Sequence, residues 1–308
     1  MKPSYIGPFH PSLKLLILLA LVIASFFVVF LFGTGISLII FGRDVLDSLN
    51  LDPGNLTDSS VSILKYFQIV NQVGVFIVPA ILFAWLNDKD IKGYLRLSFK
   101  IDIRFYILGI LIIFTLLPLV NWLLEINNDL VLPRSLDGLE QWFREMEEEA
   151  ALITEAFLKT ETITGLVYNL FIVAFLASVA EELLFRGVLV RVFTEWTGNI
   201  HAGVILPAVL FSALHLQFYG FLPRMVLGVV LGYLFVRSGS LMVPVLVHFV
   251  NNGLAVFIAF LSNRGLINMD VESFGATDNV LLILASLLIS FFIMSVIRHL
   301  GKRTAQPQ

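Results

Sequence analysis

Eight apolar runs, most of them near the ~20 residues an α-helix needs to cross a bilayer, leave this chain few folds to choose from. They cover about Leu13–Phe41, Ile63–Leu86, Phe105–Leu124, Ile163–Val192, Ile200–Leu216, Pro223–Val236, Leu241–Leu261 and Val280–Ile297. In lipid no water is present to satisfy backbone N–H and C=O groups, so spanning runs of this length read as helices. The expected fold is therefore all-α, a polytopic membrane bundle of about eight helices. A 58% hydrophobic content and a mean hydropathy of +0.90 agree, since no soluble domain needs so much apolar surface. The first run is too long for the short apolar region of a cleavable signal. It is also overlong for one span, and Gly33-Thr34-Gly35 reads as a break in it. The second run carries Gln68, Asn71 and Gln72, with Pro79 as a kink point. In the sixth, Gly228 and Gly232 are spaced for close helix packing.

Organisation follows from the connections. Residues 1–162 read as three N-terminal helices and a long loop, 163–262 as a core, and 263–308 as a last helix with a tail, Thr304–Gln308, that reads as disordered. With the N-terminus in the cytoplasm, 13 of the 20 Lys and Arg fall on inner segments, Arg186 and Arg191 among them, and 7 on outer ones. The positive-inside rule then places both termini inside. The long loop, Glu125–Thr162, has Leu136, Leu139, Phe143, Met146, Ala150, Ile153 and Phe157 at spacings of three and four. Glu140, Glu145 and Glu147-Glu148-Glu149 occupy the other side. This is an amphipathic helix that either lies on the membrane or caps the bundle.

A net charge of −3 without a basic patch gives no footprint for nucleic acid. Cysteine is absent, which excludes disulfides and thiolate metal sites. Any metal would be held by His, Glu, Asp or Asn.

Against this apolar background Glu181, Glu182 and Arg186 stand out in the middle of the fourth run. Each charge at bilayer depth costs about 2.5–3.5 kcal/mol on insertion scales. Residues four apart share a helix face, so Arg186 restrains Glu182 and leaves Glu181, rotated by about 100°, free to point elsewhere. On their own these residues also fit a salt bridge that locks two helices together. Further polar groups occur in other apolar runs: His215 near the end of the fifth, and His248 with Asn252 one turn on in the seventh. Desolvation favours gathering such groups around one cavity over scattering them. A carboxylate in an apolar pocket can act as general base towards water, and imidazole or carboxamide groups can stabilise an oxyanion. Glu181, His215 and His248 also make up a zinc ligand set, although no H-E-x-x-H occurs. A serine mechanism through Ser178 or Ser212 lacks a nucleophile elbow. A proton relay or small transporter lacks inverted repeats.

Three short patterns occur in order: Glu181-Glu182-x-x-x-Arg186, Phe211-x-x-x-His215 and His248-x-x-x-Asn252. They resemble the CAAX prenyl protease type II family, also called the CPBP or Abi intramembrane proteases, over roughly 165–260. The resemblance implies an eight-helix membrane endopeptidase whose site opens to the cytoplasm. It implies that Glu181 and His215 activate water, that His248 and Asn252 stabilise the oxyanion, and that Glu182, Arg186 and Phe211 support them. The cofactor it implies is zinc or none. The implied partners are a peptide or membrane-protein substrate and the lipid bilayer. The positive-inside pattern and the lack of targeting signals read as a bacterial inner membrane. The alternative within the family is a catalytically silent protein serving bacteriocin self-immunity or scaffolding.

Overall fold

The computed structural model describes residues 4–47, 53–269, 271 and 273–304, and every regular element among them is helical. Nine helices carry the architecture: α1 (Pro11–Phe41), α2 (Asp58–Asn87), α3 (Ile103–Asn128), α4 (Asp137–Leu158), α5 (Ile163–Thr197), α6 (Ile200–Ala213), α7 (Phe221–Ser238), α8 (Met242–Asn263) and α9 (Val280–Thr304). Seven of them, all but α4 and α6, are long and apolar enough to cross a membrane. Their outer faces carry bare apolar side chains, with Ile39 85% and Phe291 74% exposed. Surfaces of that kind are stable against lipid, and the chain is an integral, multi-pass membrane protein.

Three expectations change. First, α1 runs unbroken through Gly33-Thr34-Gly35. A Cβ on Gly33 would stand 2.8 Å from Val70, so this glycine lets α1 and α2 approach closely and does not end the helix. Second, the fifth apolar run forms only the 14-residue α6, and at 1.5 Å per residue it reaches about 21 Å, short of the ~30 Å hydrocarbon core. The spanning helices are thus seven, with α6 a partial eighth. Third, Thr304 closes α9, and the rest of the tail expected to be disordered lies outside the described residues.

The helix ends sort onto two faces. On one, the backbone N–H of Tyr5 donates to Leu86, Lys14 pairs with Glu195 at 2.8 Å, and Leu241 N–H donates to Arg96. This face holds the connections 88–102, 198–199 and 239–241. On the other, Asn127 donates to Phe218 O at 2.7 Å, Asn121 to Phe274 O and Asn263 to Leu158 O, each at 3.0 Å. The latter face holds 42–47, 53–57, 129–162, 214–220, 264–269 and 273–279. Between them lies a core in which Phe83, Phe185, Phe211 and Phe235 interlock α2, α5, α6 and α7, while Ile112, Leu231, Val247 and Ile297 join α3, α7, α8 and α9.

Three stretches of these helices are π-helical: Gln72–Ile77 in α2, and Leu170–Leu176 and Leu183–Leu189 in α5. A π turn shifts the hydrogen-bond register, so nearby carbonyls become open to side chains of neighbouring helices. Ser25 of α1 donates to Gly74 O at 2.6 Å, and Asn252 of α8 to Val173 O at 3.3 Å. Of the three, Leu170–Leu176 borders the cavity described next, through Val173.

Candidate active site

Glu182 is the best buried charge in the molecule. It is 0% exposed, and its Oε1 accepts from Arg186 Nη1 at 2.5 Å. This is the pairing that the four-residue spacing predicts. The Arg186 guanidinium is 1% exposed, donates from Nη2 to Gly228 O at 3.0 Å, and lies 5.0 Å from the Phe211 ring. Gly228 permits this because α6 and α7 pack hard there: a Cβ at this position would meet Ala208 Cβ at 3.0 Å. Arg186 therefore sits inside the bundle and belongs to neither face, unlike its placement in the charge tally.

Glu182 also does what the sequence did not foretell. Its Oε1 lies 2.9 Å from Nδ1 of His248, which is 3% exposed. A carboxylate there holds the proton on Nδ1, turning Nε2 towards Glu181, whose Oε2 is 3.8 Å away. The supporting pair of α5 thus orients the histidine of α8. Glu182 Oε2 has no hydrogen-bond partner among the described residues, so the carboxylate depends on the two contacts at Oε1.

Glu181 is rotated by about 100° around α5 from Glu182, so the two carboxylates approach opposite nitrogens of the His248 ring. Glu181 is 9% exposed and lines a small pocket together with Gln72, itself 2% exposed, at the first residue of the π turn in α2. Gln72 is a site residue that sequence reasoning left among three polar positions of the second run. Its only signal is a carboxamide in an apolar span. Gln72 Oε1 has no hydrogen-bond partner among the described residues.

His215 comes in from the stub of α6. The helix ends at Ala213, and the ring follows in the turn, accessible from outside, with Nδ1 2.7 Å from Phe211 O. That contact places the proton on Nδ1 and leaves Nε2 unprotonated. The Phe211 ring stacks edge-on against both His215 and His248, with centroids 4.9 and 6.0 Å apart, and thereby separates and steadies the two imidazoles. Asn252 is half-buried on α8, accepting from Asn251 at 3.1 Å.

Glu181, His215, His248, Asn251 and Asn252 line a single cavity of about 480 Å³. Its roof is α4, through Ala150, Ile153, Thr154, Phe157 and Leu158. Of the two placements open to the amphipathic helix, the structure shows the cap. Phe143 stacks on Phe218 with centroids 4.7 Å apart, Arg144 lies 4.7 Å from the Tyr219 ring, and Gln217 donates to Glu147 at 3.2 Å. Outside the membrane, the Arg144 hydrogen bond holds the Glu140 carboxyl below its usual range and stiffens the exposed side of α4.

This roof creates a conflict between two expectations. The cavity lies beneath α4, on the face opposite to the one carrying residues 4–10 and the basic connection 88–102. An N-terminus in the cytoplasm and a site open to the cytoplasm cannot both hold.

A zinc site needs three or four donors converging on one point. Among the described residues no three His, Asp or Glu side chains are grouped so as to hold a metal ion. The Glu181, His215 and His248 set as arranged here does not fit zinc, and no step below passes through it.

Residues 163–254 match the family described as type II CAAX prenyl endopeptidase Rce1-like. An uncharacterized 24.3 kDa protein of Escherichia coli is 32% identical to this chain over 92 residues, which are 29% of this chain and 42% of that protein. The chain thus spans less than half of that relative's length. No solved structure matches.

Proposed function

We propose that this chain, a member through residues 163–254 of the type II CAAX prenyl endopeptidase Rce1-like family, is an intramembrane endopeptidase working with a glutamate-activated water in a bacterial cytoplasmic membrane, both termini inside. One observation carries the reading: Glu181, His215, His248 and Asn252, contributed by α5, the end of α6 and α8, meet at one cavity inside a membrane bundle. Side chains this expensive to bury are kept where they act.

The geometry suggests the division of labour. Water entering beside Glu181 gives its proton to the carboxylate as its oxygen attacks the scissile carbonyl carbon. Gln72 lines the pocket beside that carboxylate. His215 Nε2, left without a proton by the Phe211 contact, is the second acceptor available to the water. The carbonyl oxygen, becoming an oxyanion, is met from the α8 side. There Asn252 can release its long 3.3 Å bond to Val173 O and donate its N–H, and His248, whose Nδ1–H is taken by Glu182, donates from Nε2 when the ring carries both protons. Collapse of the tetrahedral adduct breaks the C–N bond, and the proton held by Glu181 passes to the leaving amine. The apolar walls supplied by Phe211 and Phe157 keep bulk water from competing.

The test is comparative mapping of peptide termini in membranes of cells expressing the parent chain or His215→Ala at equal abundance. His215 is accessible and its one side-chain hydrogen bond is to a carbonyl in its own helix, so its loss should leave the bundle intact. Termini that disappear with the substitution identify the substrate. Identical maps would transfer the weight to a catalytically silent member serving immunity or scaffolding.

Metal independence is part of the proposal. Cleavage by the purified protein should keep its rate, within about twofold, after treatment with a strong zinc chelator. A rate that vanishes and returns with added Zn²⁺ would mean that the three side chains rearrange to bind the ion.

A further inference from the structure

We infer that the cavity is entered from the extracytoplasmic side, so that the bond it reaches belongs to an exported peptide or to the outward-facing end of a membrane protein. The choice of substrate rests on the protease reading above. The sidedness of the cavity does not.

The opening comes first. Because α6 stops short, the bundle has a notch on the face that holds 129–162, and the turn 214–220 fills only part of it. Leu214 and Leu216, either side of His215, are 65% and 56% exposed. A second cavity, about 620 Å³, adjoins the first, and Thr154, Leu158 and Arg224 line both. It continues past Glu147 and Glu155 to Asn263 and Val271, at the mouth of the connection 264–279. The cavity at Glu181 and the one that reaches the α4 face are thus neighbours, divided by Thr154, Leu158 and Arg224.

Charge then decides which side that face meets. On the opposite face one short connection and the helix start after it carry Lys89, Lys92, Arg96, Lys100 and Arg104, and Arg191 and Arg237 close the neighbouring helices. On the α4 face, 214–220 has no Lys or Arg, the connection after α1 has Arg43 alone, 264–279 has Arg264 alone, and 129–162 spreads Arg134, Arg144 and Lys159 among nine carboxylates. Short connections rich in Lys and Arg remain in the cytoplasm. The α4 face is therefore the outer one. Arg224, at the start of α7, does not weaken the bias, because it turns inward to Gln217 Oε1 at 2.9 Å. A cytoplasmic C-terminus, prenylated or not, would meet the other end of the bundle, where Ser240 Oγ donates to Ser98 O at 2.5 Å, Leu241 N–H donates to Arg96 O, and a cavity of about 500 Å³ beside Arg96, Lys100 and Arg237 contains none of the four site residues.

The chain has no cysteine, so single substitutions report sidedness without background. Glu148→Cys on α4 and Asn268→Cys mark one face; Lys92→Cys and Lys100→Cys mark the other. All four positions are exposed and none lines the cavity beside Glu181. Intact cells are treated with a membrane-impermeant maleimide. Both α4-face cysteines should label to at least about 80%, and the two lysine positions below about 10% until the membrane is permeabilised. Two probes on each face keep the result readable if one variant fails to accumulate. The reverse pattern would overturn the inference and return the site to the cytoplasm. Labelling of all four in intact cells, the mark of dual insertion, would overturn it equally. None of these outcomes depends on cleavage, so the protease reading and the sidedness of its site fail separately.

Discussion

Glu181→Gln is expected to leave the bundle folded and to slow peptide cleavage by about 10²–10⁴-fold, the range that a positioned general base contributes. Two features of the site make the experiment clean. Glu181 holds no ion pair with Arg186, whose guanidinium is taken by Glu182 and by Gly228 O. The amide that replaces the carboxylate has the same shape. The melting temperature in detergent should therefore move by only a degree or two, while single-turnover cleavage of the mapped peptide collapses. Cleavage at the parental rate would remove Glu181 as the base and leave His215 as the remaining acceptor, since Glu182 is fully buried behind His248.

How far the sequence carried depended on what each residue interacts with. Spans whose apolar length is set by the bilayer were readable: the expected Phe105–Leu124 became Ile103–Asn128, and Leu241–Leu261 became Met242–Asn263. The Glu182–Arg186 pair was readable too, because four-residue spacing on a helix fixes it locally. The amphipathic pattern of 136–157 announced α4, yet its place over the cavity depends on Phe218 and Tyr219 across the fold, and no local pattern encodes that. Other features were hidden for related reasons. π turns have no composition of their own, so the register that lets Gln72 meet Glu181 could not be seen. The shortness of α6 was masked because Leu214 and Leu216 are as apolar as the helix before them. The bond from Glu182 to His248 joins residues 66 apart, and only packing brings them together. The family resemblance and the charge count address different faces of the same bundle, so the sequence alone gave no single expectation for the sidedness of the site.

Arg186→Ala is expected to cost about 3–5 kcal/mol of stability, as when one member of a buried pair is removed and the other stays charged in the interior. The structure argues for the upper end of that range. Glu182 Oε2 already has no hydrogen-bond partner among the described residues, and Oε1 would keep only His248. Gly228 O would lose its donor at a close crossing of α6 and α7, and Phe211 would lose the cation beside its ring. The folded population in detergent should fall, with the melting midpoint lowered by about 10 °C or more. The cause is separable from lost packing volume. Adding Glu182→Gln to Arg186→Ala removes the stranded charge but keeps an oxygen for His248 Nδ1, so the double variant should regain a large part of the loss. That non-additivity measures the coupling between the two side chains. Equal stability of Arg186→Ala and the parent would show that the buried pair is not what holds α5 and α7 together. The double variant should remain slower in cleavage than its recovered stability implies, because a neutral amide fixes the His248 proton less firmly than the carboxylate does.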